Sequence, residues 1–468
     1  MRFLLFGTGD YYERYKKWFN RDEVTALLDN SPGKQDTLVD GIRVVSPEEG
    51  VRLDYDAVVI LSFYVKTMKA QLVELGVGAD CIYHFFDLHT LFKGRTLHRP
   101  IKYYGVTKDS VWEKGGGRKR ILLLSHDLTL GGPALALYRA AEILHAEQYE
   151  VIFASMLDGP LRQHLSESHI PVIVDENLQI QTMREAAWTS NSDLVLCNTI
   201  SFYVFLSERD TKVPVVWWLH DSVFFYDGVD KGILRGMDVH NLDIVSVGPV
   251  PRNAMHAFVP SLPIRDLLYG VADEKGKAEN PDTERYAAPF RFMTIGYIES
   301  RKGQDVLITA VKLLPKEILL KCEFYLVGQD TSLLAQQIKD GIKDIPQVVI
   351  TGTVNRKEIN RLLCHTDMLV CPSREDPMPT VAAEAMMHSV PCILSDATGT
   401  AAYIDNGENG LVFASEDARE LAEKMEWCVC HKEDTARMGT CARDIYEKVF
   451  SMKTFERNLL KITGKNIR

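Results

Sequence analysis

Two acidic residues eight positions apart, Asp376 and Glu384, are the strongest candidates for chemistry in this chain. Pro377 and Pro379 follow the first acid, so we expect Asp376 on a loop and Glu384 inside the helix that comes next. The first turn of such a helix offers unpaired N–H groups and a partial positive charge, which favour a phosphate group. Carboxylates that accept sugar hydroxyls beside a phosphate site predict a nucleotide-activated sugar as the ligand.

Two adjacent cations occur earlier in the same predicted domain. The segment Glu299 to Asp305 follows a predicted strand and contains Arg301, Lys302 and Gly303. Arginine offers a forked contact and lysine a compact charge, which together suit a diphosphate, and Gly303 would let the backbone approach closely. A solvent-exposed basic turn is the alternative, and the acid pair downstream favours the diphosphate site.

Three apolar runs predict the strands that position these residues. Each run is followed by a glycine-containing loop and a helix-like pattern. The runs are Phe3 to Phe6, Ile121 to Leu124 and Phe292 to Ile295. Each is typical of a buried parallel strand, so three α/β units are predicted. The basic, glycine-rich stretch from Lys114 to Arg120 is predicted as a linker, and Ala272 to Pro289 as a hinge.

Composition excludes several classes of protein. Of 468 residues, 46% are hydrophobic and 25% charged, as in ordinary globular chains, and the net charge of -10 argues against a nucleic-acid groove. The nine cysteines include no Cys-x-x-Cys pair, which indicates reduced thiols. The amino terminus reaches Gly7 too soon for a signal peptide, and no apolar run is long enough to span a membrane. We expect a cytoplasmic protein, either free or peripheral to the inner face of the membrane.

From about Arg118 onward, roughly three quarters of the chain, the sequence resembles the large family 4 (group 1) of retaining glycosyltransferases, which have the GT-B fold. The blocks that carry the resemblance occur in the family's order: Gly131-Gly132, Trp217 to Asp221, Arg301-Lys302-Gly303, Asp376 to Glu384, and Asn406 to Val412. The fold class implied is α/β, with two facing Rossmann-like domains preceded by a smaller Rossmann-like α/β domain.

The resemblance also implies domain bounds. Residues 1–97 would be the accessory domain, 98–119 a linker, 120–274 the acceptor domain and 275–449 the donor domain, with 450–468 crossing back onto the acceptor domain. Closure of the two GT-B domains on the donor would follow from a hinge between them.

The roles of individual residues are implied by the same resemblance. Glu384 would bind the ribose hydroxyls, Asp376 the donor sugar, and Gly132 would let the first loop close over the phosphates. The catalytic residues implied are His220, Asp376, Arg301 and Lys302. The donor-binding residues implied are Gly132, Gly296, Arg301, Lys302, Gly328, Val354, Asp376, Met378, Pro379, Thr380, Val381 and Glu384. No metal and no cofactor besides the nucleotide sugar are implied, since family members usually need none.

The sequence departs from the family pattern at three places. Many members have arginine where Tyr297 follows Gly296, so Arg301 would have to supply that charge. Glu375 and Asp376 are neighbours, which leaves the first acid open although the spacing favours Asp376. The usual acid before the late turn is missing from Thr398 to Tyr403, where backbone N–H groups could line the phosphate site instead.

Several residues keep two interpretations. His220 either contacts the donor sugar or caps a sheet edge, and His126 and Asp127 either face the acceptor or bond to their own loop. Arg356 either touches the base or is a surface charge. The one Asp-x-Asp pair, Asp54 to Asp56, is interpreted as a surface turn rather than a metal site.

The first hundred residues contain half of a dinucleotide fingerprint. Gly7-Thr8-Gly9 follows a predicted strand and Asp29 ends the next one, but Tyr11 and Tyr12 stand where the third glycine belongs. The segment resembles small Rossmann-like domains that precede sugar-modifying enzymes. It either binds a nucleotide sugar or supports assembly.

The function predicted is a metal-independent retaining glycosyltransferase of the hexosyltransferase type, acting in cell-surface polysaccharide or glycoconjugate biosynthesis. The partners are a nucleotide-sugar donor and a glycan, lipid-linked or protein acceptor, with no nucleic acid; membrane contact and oligomerisation stay open. A catalytically silent scaffold is the alternative. A nicotinamide oxidoreductase in the first domain is a second one, which the incomplete glycine pattern disfavours.

Overall fold

A computed structural model describes residues 1–93, 95, 98–112, 117–275 and 289–467. The described residues form three sheets, each made mainly of parallel strands with helices on both faces. The predicted linker at 114–120 and hinge at 272–289 fall in part on residues 113–116 and 276–288, which lie outside the described residues. These sheets and helices confirm the predicted α/β class.

The first sheet has the strand order β3-β4-β2-β1-β5-β6, with β3 antiparallel to β4. Its strands are β1 (Phe3–Phe6), β2 (Val24–Leu28), β3 (Leu38–Val39), β4 (Ile42–Val45), β5 (Ala57–Ile60) and β6 (Ile82–His84). Its helices are α1 (Asp10–Tyr15), α2 (Pro47–Gly50), α3 (Val65–Glu74) and α4 (Leu88–Leu91). All four residues of β1 are buried because separate apolar clusters cover the two faces of the sheet.

The second sheet has the order β14-β13-β12-β11-β8-β9-β10-β7. Its strands are β7 (Lys102–Tyr104), β8 (Arg120–Ser125), β9 (Glu150–Ser155), β10 (Val172–Val174), β11 (Leu194–Asn198), β12 (Val215–Leu219), β13 (Leu242–Ser246) and β14 (Ile264–Asp266). The helices of this region are α5 (Lys108–Trp112), α6 (Gly132–Ala146), α7 (Leu161–Glu167), α8 (Tyr203–Ser207), α9 (Lys231–Gly236) and α10 (Pro249–Phe258).

The predicted linker at 98–119 needs a correction. Residues 102–104 form β7, which pairs antiparallel with β10 at the edge of the second sheet. This strand has only three residues, and they show no clear alternation of apolar and polar side chains. Its place in the sheet comes from its pairing with β10.

The third sheet is fully parallel, with the order β17-β16-β15-β18-β19-β20. Its strands are β15 (Phe290–Ile295), β16 (Cys322–Val327), β17 (Val348–Gly352), β18 (Met368–Cys371), β19 (Cys392–Ser395) and β20 (Gly410–Phe413). The helices are α11 (Gln304–Leu313), α12 (Lys316–Leu319), α13 (Leu333–Gly341), α14 (Arg356–Cys364), α15 (Thr380–Met387), α16 (Ala418–Cys430), α17 (Lys432–Ile445) and α18 (Met452–Asn466).

The last helix returns to the second sheet. Phe455 on α18 stacks on Trp218 with ring centroids 5.6 Å apart, and Asn466 Nδ2 donates to Asp243 Oδ2 at 3.1 Å. A single apolar cluster also joins residues of the second and third sheets. The two regions therefore face each other across a cleft whose closed end is packed with apolar side chains. No described helix combines the length and apolar composition that crossing a bilayer requires.

Candidate active site

The acidic loop lies between β18 and α15, at the carboxyl edge of the third sheet. Asp376 sits on the loop and Glu384 inside the helix, as the prolines predict, and each residue is only 5% exposed. Pro379 precedes the first helical residue, and no side chain caps the first turn. The N–H groups of that turn are therefore not used by a capping side chain, which suits an anion.

Two cations converge on Asp376. Lys302 Nζ lies 2.5 Å from Asp376 Oδ2, and Arg301 Nη1 lies 3.8 Å from the same oxygen. Arg301 is fixed further by Glu299 Oε1 at 2.8 Å and by the carbonyl oxygen of Glu375 at 3.2 Å. The fold thus brings the basic turn and the first acid together.

Gly303 ends the basic turn for a reason different from the one predicted. Its φ is +67°, and a Cβ atom there would lie 2.0 Å from the carbonyl oxygen of Pro372. Glycine is required because this turn packs directly on the segment that leaves β18. The predicted close approach to a ligand does not by itself explain the glycine.

Glu384 is half satisfied. Its Oε1 lies 2.7 Å from Nη2 of Arg356, whereas its buried Oε2 has no hydrogen-bond partner among the described residues. A buried carboxylate oxygen without a donor is costly, so this oxygen is suited to accept from a bound hydroxyl. The structure pairs Arg356 with the site acid, although its side chain is 55% exposed.

A cavity of about 1250 Å³ opens beside this pair, between α6 and α14. Gly132, Arg139, Tyr269, Asn355, Thr380 and Glu384 are among the residues that line it. The other predicted donor-binding residues also follow the carboxyl ends of strands, where α/β sheets place ligands: Gly296, Gly328, Val354, Met378, Pro379 and Val381.

Glu375 and Asp376 have separate roles in the structure. Asp376 meets the two cations, whereas Glu375 Oε1 accepts a hydrogen bond from the backbone N–H of Val223 in the facing domain. Burial raises the pKa of Glu375, and the Val223 N–H opposes that rise. Glu375 therefore joins the two domains, a role for which the sequence offers no local signal.

A second link between the domains involves the acidic loop. Tyr269 donates its hydroxyl to the carbonyl oxygen of Met378 at 3.1 Å, and the Met378 side chain is buried. The small-residue turn near 399 packs behind the loop, and the N–H of Gly399 donates to the carbonyl oxygen of Asp376 at 2.9 Å. That N–H group is therefore not free for a phosphate, and a phosphate contact from the other N–H groups of this turn stays a prediction.

His220 follows β12 and points its ring against Trp218, with centroids 4.5 Å apart. The residue is 7% exposed, and its Nε2 has no hydrogen-bond partner within the described part of the chain. Burial and, to a smaller extent, the nearby His126 lower the pKa of His220 to about 3, so the imidazole is neutral. Burial raises the pKa of the neighbouring Asp221 to about 7, although the N–H of Ile200 donates to it at 2.6 Å.

His126 and Asp127 border the loop that leads from β8 to α6. Asp127 Oδ1 accepts from the N–H of Thr129 at 3.1 Å and from its hydroxyl at 2.8 Å. Asp127 Oδ2 lies 3.4 Å from His126 Nε2. Burial lowers the pKa of His126, and Asn198 lies beside it. Asp127 therefore bonds to its own loop, as one of its two interpretations had it.

Two exposed acids of the first domain form the turn that the Asp-x-Asp pair predicts. Asp54 Oδ2 lies 2.5 Å from Arg2 Nη1, and Asp56 Oδ2 accepts from the Arg2 N–H at 2.6 Å. In the part of the chain that the structure describes, no group of three or more His, Cys, Asp or Glu residues is arranged to hold a metal ion.

His388, directly after α15, is a buried histidine whose pKa predicts how the stability of the protein depends on pH. Its pKa is lowered from an ordinary 6.5 to about 4, mainly by burial; Asp273 opposes the change, and Lys275, Arg356 and Arg443 contribute to it. The unfolded chain therefore binds a proton that the folded protein does not, and stability falls as the pH drops from about 6.5 to about 4. When the pH falls from about 7 to about 5, the free energy of unfolding should decrease by about 1 kcal/mol less in His388→Gln than in the natural protein. Urea unfolding at the two pH values measures both decreases. Equal losses in both proteins would contradict the expectation.

Three protein-family models match parts of the chain. Residues 289–431 match the family described as Glycosyl transferases group 1, and residues 117–244 match Glycosyl-transferase family 4. Residues 1–83 match the family described as C2185-like, N-terminal. The chain therefore contains glycosyltransferase domains of group 1 and of family 4, and it is an enzyme of the glycosyltransferase class.

Individual relatives are distant. Spore coat protein SA of Bacillus subtilis (strain 168) is 22% identical over 360 residues, covering 72% of this chain and 95% of that protein. Alpha-D-kanosaminyltransferase of Streptomyces kanamyceticus is 23% identical over 273 residues, covering 54% and 70%. Among solved structures, Anabaena Alr3699/HepE in complex with UDP superposes with a TM-score of 0.62 at 20% identity, covering 74% of this chain and all (100%) of that one. This last likeness shows that the fold is GT-B.

Proposed function

We propose that this glycosyltransferase moves a hexose from a nucleotide-sugar donor to an acceptor hydroxyl with retention of anomeric configuration and without a metal. The observation that carries the proposal is that Lys302 and Arg301 both lie within 4 Å of Asp376, on the loop that leads into α15. Fixed cations and helix-end N–H groups stabilise the negative charge that a departing diphosphate develops. UDP-sugars are the first donors to test, because Anabaena HepE was crystallised with UDP.

The donor is held from both sides in this proposal. Glu384 Oε2, which has no partner among the described residues, accepts a ribose hydroxyl, and Asp376 accepts a hydroxyl of the donor sugar. Neutral His220 offers Nε2 to the donor sugar near the bond that breaks. Because neither burial nor charge makes His220 a base at neutral pH, its role is orientation rather than proton removal.

The bond-making step takes place on one face of the sugar. The acceptor oxygen forms its bond to the anomeric carbon on the face from which the diphosphate leaves, and the acceptor proton passes to the departing phosphate oxygen. The electron pair of the broken bond goes with the diphosphate, where Lys302 and Arg301 neutralise it. The acceptor is a glycan, a lipid-linked sugar or a protein of a cell-surface polysaccharide or glycoconjugate, and we place the reaction in the cytoplasm or at the inner face of the membrane.

A panel of nucleotide sugars tests the proposal. The purified full chain is incubated with UDP-, GDP-, ADP- and dTDP-hexoses, with and without EDTA, and scored for donor hydrolysis and for thermal stabilisation. We expect at least one donor to raise the melting temperature and to be hydrolysed equally well with EDTA, releasing first the anomer of the donor. Release of the inverted anomer would contradict retention. Binding of a donor without hydrolysis of any of them would favour the alternative function, a catalytically silent scaffold.

A further inference from the structure

The first domain is docked on the second by the edge of its sheet where a nucleotide would otherwise bind. Phe63, which follows β5, lies 4.2 Å from Tyr11 of α1 between ring centroids. The same ring lies 4.8 Å from Phe225 and 5.6 Å from Phe224 of the second domain. Aromatic side chains thus fill the crevice between the ends of β1 and β5, the switch point of this sheet.

The half fingerprint of this domain serves the domain itself. Asp29 accepts from the N–H of Ser31 at 2.9 Å, from Lys34 Nζ at 3.2 Å and from the hydroxyl of Thr8. Gly7 has a φ of +113°, and a Cβ atom there would lie 2.5 Å from the carbonyl oxygen of Leu61. The acid that would hold a ribose and the glycine that would face a phosphate are therefore both occupied by neighbouring residues.

Arg14 connects the first domain to a loop of the second domain that leads to the cleft. Arg14 Nη2 lies 3.7 Å from Asp127 Oδ2, and its guanidinium stands over the Tyr11 ring at 5.5 Å. Asp127, only 4% exposed, also anchors Thr129, so Arg14 contacts the residue that shapes the loop from His126 to Gly132. Gly132 at the end of this loop lines the cavity beside Glu384.

Phe63 packs against a second segment of the second domain beside the cleft. Phe224 and Phe225, on which Phe63 packs, belong to the turn Val223–Gly228. The N–H of Val223 at the start of that turn donates to Glu375 of the donor domain. The first domain therefore contacts two second-domain segments beside the cleft, the loop from His126 to Gly132 and the turn Val223–Gly228.

We propose that the first domain is a fixed outer wall of the cleft and not a second nucleotide site, with Arg14 as a positioning residue that holds the Asp127 loop. The proposal rests on the proposed function, because the loop that it fixes ends at Gly132 beside Glu384, where we place the donor. Arg14 acts through Asp127, and Phe63 acts through the turn Val223–Gly228.

Hydrogen exchange in the full chain tests the bracing without needing the acceptor. We expect Arg14→Gln to speed amide exchange in residues 126–132 about three- to fivefold, with little change in residues 223–228, and Arg14→Lys to restore part of the protection. Phe63→Ala should speed exchange in residues 223–228. Arg43→Gln is the matched control, because Arg43 is an exposed arginine of the same domain that pairs with Asp36 and Glu49. Unchanged exchange at 126–132 in Arg14→Gln would overturn the role of Arg14.

Titration with UDP separates this proposal from the proposed function. We expect one UDP per chain, bound equally by the natural protein and by Thr8→Val. Two UDP molecules per chain, one of them lost in Thr8→Val, would overturn the reading of the first domain as a wall. If no nucleotide sugar binds at all, the proposed function fails, and the exchange experiment still decides whether the first domain braces the loop.

Discussion

Replacement of Lys302 by alanine should lower kcat/KM for the donor about a thousandfold, the scale expected when one fixed donor of charge stabilisation is removed. Lys302 Nζ is the closest cation to Asp376, and Arg301 lies 1.3 Å farther from the same oxygen, 3.8 Å against 2.5 Å. Without Lys302, the leaving diphosphate meets a buried carboxylate that is only partly neutralised. Initial rates with the best donor of the panel measure the effect.

The controls separate catalysis from folding. Lys343→Ala removes an exposed lysine that pairs with Asp340 at 2.9 Å, and should leave the rate unchanged. The double variant Lys302→Ala with Asp376→Asn removes both charges, so it should regain thermal stability without regaining activity. Lys302→Arg keeps the charge and should recover part of the rate. If Lys302→Ala keeps most of its activity while folded, the diphosphate does not bind where we place it.

Local sequence signals were sufficient for the parts of the site that lie within one strand–loop–helix unit. The prolines after Asp376 and the small residues up to Glu384 correctly predicted a loop followed by a helix. The basic turn at 300–302 follows β15 as expected. These predictions succeed because propensity and capping act over a few residues, and because parallel strands bring their carboxyl ends to one edge.

Contacts between distant segments could not be read in the same way. Glu375 accepts a hydrogen bond from Val223, which lies 152 positions away in the sequence. No local pattern around either residue predicts this contact. The pairing of Arg14 with Asp127 depends on how two separate domains dock, which no periodicity encodes. Gly303 was correctly singled out, but its cause is the carbonyl of Pro372, which only the three-dimensional packing reveals.

The domain boundaries illustrate the same limit. Residues 102–104 were predicted within a linker, yet they complete the second sheet as β7. A three-residue edge strand buries little apolar surface, so the sequence has no strong pattern there. The roles assigned to the site residues stay predictions until the variants are measured.

Replacement of Glu384 by glutamine should raise the donor KM about a hundredfold and change kcat much less, because a hydrogen bond to a charged group contributes about 1.5–3 kcal/mol. Glutamine keeps the shape and the helix propensity of the side chain, so α15 should form normally. It loses the ion pair with Arg356 and the charged oxygen Oε2 that we assign to the ribose. Steady-state kinetics over a wide range of donor concentrations measure both constants.

Deoxyribose donors make this test specific. If Glu384 binds a ribose hydroxyl, the natural protein should prefer the ribose donor over its 2′-deoxy or 3′-deoxy analogue, and Glu384→Gln should lose most of that preference. Glu447→Gln is the matched control, because Glu447 also pairs with an arginine, Arg443 at 2.8 Å, but lies on the surface of the last helical region. A Glu384→Gln protein that still discriminates fully between ribose and both deoxyribose donors would show that the buried Oε2 faces a different group. The nucleotide would then have to lie elsewhere in the cavity, with Arg356 and Glu384 acting only as a structural ion pair.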